Sequence, residues 1–221
     1  MEKIIIIGGK GTAINIAEQI CDAEVIHHAK QRFCGFLIDD PALGNSINNF
    51  PVLGKIAERQ RFIEAGYKII FALYKPEKMQ ERVELFKQLE LSENALATFV
   101  HPHATVMASA KISPGSVVMS GVMIGSNVRI GCACIINAGA VIEHDTCIGN
   151  NNFIAAGAIL GANIHTGEGN FIGLNASIRE NITMGAFNFV GMGSVIVKDI
   201  KNNALVYGNP GSQKNNLKSI D

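Results

Sequence analysis

The chain has 221 residues, enough for one or two domains. Its 19 Lys plus Arg balance 19 Asp plus Glu with no basic cluster, which excludes a nucleic-acid surface built on counterion release. Trp is absent and Gly numbers 23, a composition that suits small turns and aliphatic layers better than a bulky-cored globule.

The first apolar run, Ile4 to Ile7, is too short for a membrane span or a signal core and reads as a buried strand. Gly8-Gly9-Lys10-Gly11 and an amphipathic stretch from Thr12 to Ile20 follow, which gives strand, glycine turn and helix. A second strand, Gly35 to Ile38, ends at Asp39-Asp40, and a third, Lys68 to Leu73, precedes a helix expected over 76–89. This alternation predicts an α/β domain with a short parallel sheet. Ligands of such sheets sit at the carboxyl ends of the strands. Gly8, Gly9 and Gly11 are therefore candidates for phosphate contacts, with Lys10 beside them, and Asp39 and Asp40 for a nucleotide's ribose or base. Ile14 stands where a dinucleotide fingerprint needs its third glycine, which disfavours NAD and leaves a smaller nucleotide open. A plain α/β turn without ligand fits the same residues. The five cysteines (Cys21, Cys34, Cys132, Cys134, Cys147) are odd in number and no signal peptide precedes them, so reduced thiols in a cytoplasm are expected.

From Val100 onward the sequence counts by six: Val106, Ile112, Val118, Ile124 and so on to Ile196 without a slip of phase, Thr166 being the one polar member. Each hexad reads as one flat side of a three-sided prism, with an aliphatic column inside and the strands paired along the axis. Small residues two before the aliphatic one, such as Ser116, Cys134, Ala140 and Ala158, form a second interior column. The glycines that often follow the aliphatic residue are expected to turn the corners.

Within the repeat, His144 alone has a carboxylate on each side, Glu143 and Asp145. A carboxylate can hold an imidazole in one tautomer and stabilise its cation, as a general base requires. A solvated polar turn reads the same way. His144 and His165 are out of phase for a shared metal, and His101 and His103 stand at the edge of the repeat, so a three-histidine zinc site is not expected. Cys134 lies in the inward column, and Cys132 and Cys147 have no histidine at fixed local spacing, so no cysteine nucleophile is expected.

The six-residue register resembles the bacterial hexapeptide transferases, a resemblance that implies a left-handed parallel β-helix and trimers with active sites in the grooves between neighbouring helices. The Gly8 to Gly11 turn, Phe36-Leu-Ile-Asp-Asp40, Pro51-Val-Leu-Gly54, His101-Pro102, Ile142-Glu-His-Asp145 and Gly208-Asn-Pro210 are similar to sugar O- and N-acetyltransferases with an N-terminal nucleotide-binding domain. Members include enzymes that acetylate UDP-linked 4-amino sugars. The resemblance implies a nucleotide-sugar-binding domain over 1–97, with Gly54 on its substrate side. It also implies a left-handed β-helix acetyltransferase domain over 98–221 with a short C-terminal tail. It further implies a cytoplasmic homotrimer, with neither membrane nor nucleic acid as partner. Acetyl-CoA is the co-substrate, without metal. The acceptor is the amine of a nucleotide-linked sugar of the 4-amino-4,6-dideoxy type, attacking the thioester directly while His144 takes its proton and Asp145 raises the basicity of His144. By family position the acetyl-CoA contacts are Phe153, His165, Gly173, Leu174 and Gly191. Two positions depart from the family: Thr12 and Phe153 stand where relatives carry histidines. O-acetylation of a sialic acid, or a non-catalytic nucleotide-binding trimer, are the alternatives.

Overall fold

A computed structural model describes residues 1–214; the end of the predicted tail, 215–221, lies outside the described residues. The N-terminal layer has strands β1 (Glu2–Ile7), β2 (Gln31–Leu37), β3 (Ser46–Ile47), β4 (Phe50–Gly54) and β5 (Tyr67–Phe71), with helices α1 (Thr12–His27), α2 (Arg59–Glu64) and α3 (Met79–Gln88). The sheet order is β3-β4-β2-β1-β5, parallel except for the β3–β4 hairpin. The isoleucines of β1 are fully buried at the sheet's centre. The helix expected from 76 begins only at Met79, because Pro76 opens a 3-10 turn over Pro76–Lys78.

From Phe99 the chain is a left-handed parallel β-helix, its three faces built of short strands that pair with strands eighteen residues away: Met123 with Val141 and Val141 with Ile159, Arg129 with Cys147 and Cys147 with His165, Ile135 with Phe153 and Phe153 with Phe171. The second residue of each strand points in, and Val118, Ile124, Ile130, Ile136 and Ile142 are at most 1% exposed. Ser116 and Thr146 of the small inner column donate their hydroxyls to the carbonyls of Gly131 and Gly161.

The corner glycines serve another purpose than the one expected. At the turns between the second and third faces it is Asn127, Asp145, Asn163 and Asn181 that take the left-handed conformation, with φ between 56° and 61°. The glycines themselves are required by close approach. A Cβ on Gly125 would lie 2.7 Å from the backbone nitrogen of His144, and one on Gly161 would lie 2.6 Å from that of Glu180.

The outward first residues give each face its own character. One face presents Phe99, Val117, Ile135, Phe153 and Phe171, all buried against α1 and the N-terminal sheet. A second presents Met123, Val141, Ile159 and Val195, with Ile159 47% exposed. The third carries Lys111, Arg129, Cys147, His165 and Thr183. The N-terminal layer grips the covered face from both of its corners. Gln19 accepts from the Ser120 N–H at 2.9 Å, and the buried Arg82 donates to the carbonyls of Leu73, Ala133 and Asn151 and to the Asn151 side chain. Tyr74 stacks on Phe153 with centroids 4.0 Å apart, continuing a ladder through Phe171 and Phe189.

His27, at the end of α1, meets His101 and His103 of the first coil, with ring centroids 5.9 and 4.5 Å away. His101 is 5% exposed and its Nδ1 accepts the His103 N–H at 3.0 Å, so the buried ring is neutral. Burial, and after it the neighbouring His103 and His27, push its pKa below the ordinary value. The unfolded chain therefore binds the proton more readily. The stabilisation is complete above the unfolded imidazole range, about pH 6.5, and is lost as pH falls through the lower folded value. We expect the thermal midpoint to fall on acidification below about pH 6.5, and less steeply in His101→Asn, which keeps an acceptor for the His103 N–H. Identical slopes in the two proteins would refute this.

Candidate active site

His144 lies on the turn between the second and third faces, the corner that the covered face does not touch. Thr146 anchors that turn, since its buried hydroxyl donates to the Gly161 carbonyl and accepts the Ile164 N–H. Asp145, at φ 59°, sits where neighbouring coils place asparagine. Its Oδ2 lies 2.8 Å from His144 Nδ1, and its Oδ1 accepts from Asn127 Nδ2 at 2.9 Å. Hydrogen bonds from His144 and then from Asn127 hold the Asp145 carboxyl below its ordinary range. An ionised Asp145 fixes the proton of a neutral imidazole on Nδ1, leaving the Nε2 lone pair to receive a proton from a reactant. The His144 side chain is 60% exposed, so that nitrogen is reachable. Burial pushes the Cys134 thiol up to about 12 and raises that of Cys132 as well, so neither competes for the role.

A cleft of about 670 Å³ opens at the carboxyl ends of β1, β2 and β5. Gly9, Lys10, Gly11, Asp39 and Asp40 line it together with Thr12 and Tyr74. Lys10 Nζ pairs with Asp40 Oδ2 at 2.8 Å, while Asp40 Oδ1 accepts the Ala42 N–H. These two contacts, the lysine's first, hold Asp40 below the usual carboxyl range. Asp39 accepts the Ile56 N–H at 2.9 Å, which leaves it one free oxygen. Gly8 and Gly54 lie outside the lining. Gly8 donates to the Leu37 carbonyl and packs on Ala72, and Gly54 lies so close to the Glu58 carboxylate that any side chain would overlap it. Tyr74, whose hydroxyl accepts from Thr12 Oγ1 at 3.2 Å, was not singled out from the sequence. Its position just past the third strand, at the carboxyl edge, is the signal that could have found it.

The residues expected at acetyl-CoA fall in three places. His165 is exposed on the third face beside the His144 corner, whereas Gly173, Gly191 and the 49%-exposed Leu174 form the corner between the covered and second faces. Phe153 is 3% exposed, held between Tyr74 and Phe171. Within one chain the cleft borders the covered face and His144 occupies the opposite corner, so a single copy does not bring the two together.

Residues 127–162 match the model described as bacterial transferase hexapeptide (six repeats). No curated protein sequence matches the chain significantly. Among solved structures, GDP-perosamine N-acetyltransferase from Caulobacter crescentus, a histidine-to-alanine variant bound to CoA and GDP-perosamine, superposes with a TM-score of 0.84 at 25% identity, covering 98% of each chain. The acetyltransferase domain of PglB from Neisseria gonorrhoeae, in complex with acetyl coenzyme A, gives 0.82 at 29% identity over 96% of this chain and 99% of its own. WeeI from Acinetobacter baumannii shares the fold at 24% identity, with a TM-score of 0.77. Residues 127–162 carry the hexapeptide repeat of the bacterial transferases, and almost the whole chain shares the fold of the solved GDP-perosamine N-acetyltransferase and of the PglB acetyltransferase domain.

Proposed function

We propose that the protein transfers acetyl from acetyl-CoA to the amino group of a nucleotide-linked amino-deoxy sugar, of the 4-amino-4,6-dideoxy type, with His144 as general base. The observation that carries this is the His144–Asp145 pair, an exposed imidazole with its Nδ1 proton fixed, in a fold whose likenesses include enzymes solved with CoA and GDP-perosamine. The sugar amine attacks the thioester carbonyl, forming the C–N bond, and its proton passes to His144 Nε2 as negative charge builds on the carbonyl oxygen. Collapse breaks the C–S bond, and the imidazolium returns its proton to the departing CoA thiolate. No covalent enzyme intermediate is needed.

The site is completed by a second copy. Met123, Val141, Ile159 and Val195 make the second face largely apolar and, among the described residues, leave it partly or fully exposed, and three copies turning it toward a common axis would cover it. Such a ring sets the His144 corner of one copy against the Leu174 corner of the next. His144 and His165 would then meet Gly173, Leu174, Gly191 and the neighbour's cleft in one groove. Lys10 and the Gly9–Gly11 turn would take the diphosphate, and Asp39 and Asp40 the nucleoside. Five free cysteines and an acetyl-CoA co-substrate suit the cytoplasm, and no helix among the described residues is long and apolar enough to cross a membrane.

The test is CoA release from acetyl-CoA in the presence of UDP-, dTDP- and GDP-linked 3- and 4-amino-6-deoxy sugars. Turnover with one of these amines is expected. Turnover with none of them, together with turnover on a sialic acid hydroxyl, would replace N-acetylation by O-acetylation.

A further inference from the structure

Along the His144 corner, residues eighteen apart form a column: Ser109, Asn127, Asp145, Asn163, Asn181. Where asparagine follows asparagine the side chains bond in series, with Asn163 Nδ2 donating to Asn181 Oδ1 at 2.8 Å. Asn127 donates likewise to Asp145 Oδ1 at 2.9 Å, while its own backbone N–H is held by Ser109 Oγ. The series breaks at Asp145. A carboxylate has no donor to offer Asn163, so Asp145 Oδ2 is released from the column and takes the imidazole of His144 instead.

We infer that Asn127, one coil below, is a positioning residue for the acetyl transfer: its amide pins one oxygen of Asp145 so that the other is aimed at His144. The inference rests on the reading of His144 as the base. Without the amide, a half-exposed carboxylate turns freely about χ2 and spends part of its time away from the ring. The imidazolium formed in the transition state then loses its partner, and the neutral ring loses its fixed tautomer. Asn127 thus acts on catalysis at one remove, through a carboxylate that the same amide helps keep ionised.

Asn127→Gly tests this without straining the chain, because glycine accepts the φ of 61° found there. Asn163→Gly is the matched control on the same corner, since its side chain bonds Asn181 and not Asp145. In Asn127→Gly the turnover number is expected to fall about tenfold, part of the roughly 10²- to 10⁴-fold that a positioned general base supplies. The KM for acetyl-CoA should hold, and the acid limb of the kcat/KM profile should move to lower pH. Asn163→Gly should match the wild type in all three. An Asn127→Gly enzyme with the wild-type rate and profile, or two variants impaired alike, would overturn the positioning role. Full turnover in His144→Ala would instead remove the reading beneath it.

Discussion

His144→Ala should lower the rate of CoA release by a factor of about 10² to 10⁴, the range that a positioned general base supplies, with no change in thermal midpoint. The side chain is 60% exposed and its one hydrogen bond is to a half-exposed carboxylate, so the fold loses almost nothing with it. Asp145→Asn should show the opposite coupling of stability and activity. An asparagine there has an amide to donate upward to Asn163, extending the column of side-chain bonds, and asparagine tolerates the left-handed conformation well. The variant is expected to melt no lower than the wild type while turning over more slowly, because a neutral amide does not stabilise the imidazolium. Circular-dichroism melts and thiol release on the same preparations check both halves. A wild-type rate in His144→Ala would reject the base assignment.

The largest effect on stability is expected at Arg82. Its guanidinium is buried and has no carboxylate partner among the described residues, and burial pushes its pKa down to about 10. Four neutral acceptors hold it: the carbonyls of Leu73, Ala133 and Asn151, and Asn151 Oδ1. Hydrogen bonds from a charged donor are worth about 1.5–3 kcal/mol each. The cost of taking the cation out of water offsets much of their sum. Arg82→Leu recovers that cost but strands the acceptors on both sides of the interface, for a net loss of about 3 kcal/mol. In a chain of this length that is a fall on the order of 10 °C in thermal midpoint. Arg82→Lys should not rescue it, since one ammonium cannot reach acceptors spread over the Leu73 loop and two helix coils. A midpoint within a degree of the wild type would show the clamp to be dispensable.

The repeat was legible because its signal is one of phase: apart from the half-buried Thr166, the apolar column from Val118 to Ile196 recurs every six residues and lies inside. The outward residues carry no such period. Only packing reveals that Phe153 and Phe171 lie under the N-terminal layer, while Ile159, equally apolar, stays exposed. The His144–Asp145 pair is adjacent in sequence and could be read there. Asn127 could not be singled out, because its contact with Asp145 spans a whole coil and asparagines fill many corners. In the N-terminal layer the glycine turn and Asp39-Asp40 were visible at the strand ends. Gly8 and Gly54 look like ligand glycines in sequence, but here the neighbouring chain takes up the room a side chain would need.

The proposed reaction depends on a site shared between copies, with a cleft from one chain and His144 from the next. Lys10→Glu, which reverses the exposed charge at the mouth of the cleft, and His144→Ala are each expected to be inactive alone. Co-assembled in equal amounts, the two chains should recover about one quarter of wild-type turnover, because half of the clefts and, independently, half of the histidines at each groove are intact. If cleft and histidine acted within one chain, every copy would carry one defect and the mixture would stay inactive. Recovered turnover near one quarter is the predicted result, and no recovery in verified mixed oligomers would contradict the shared site.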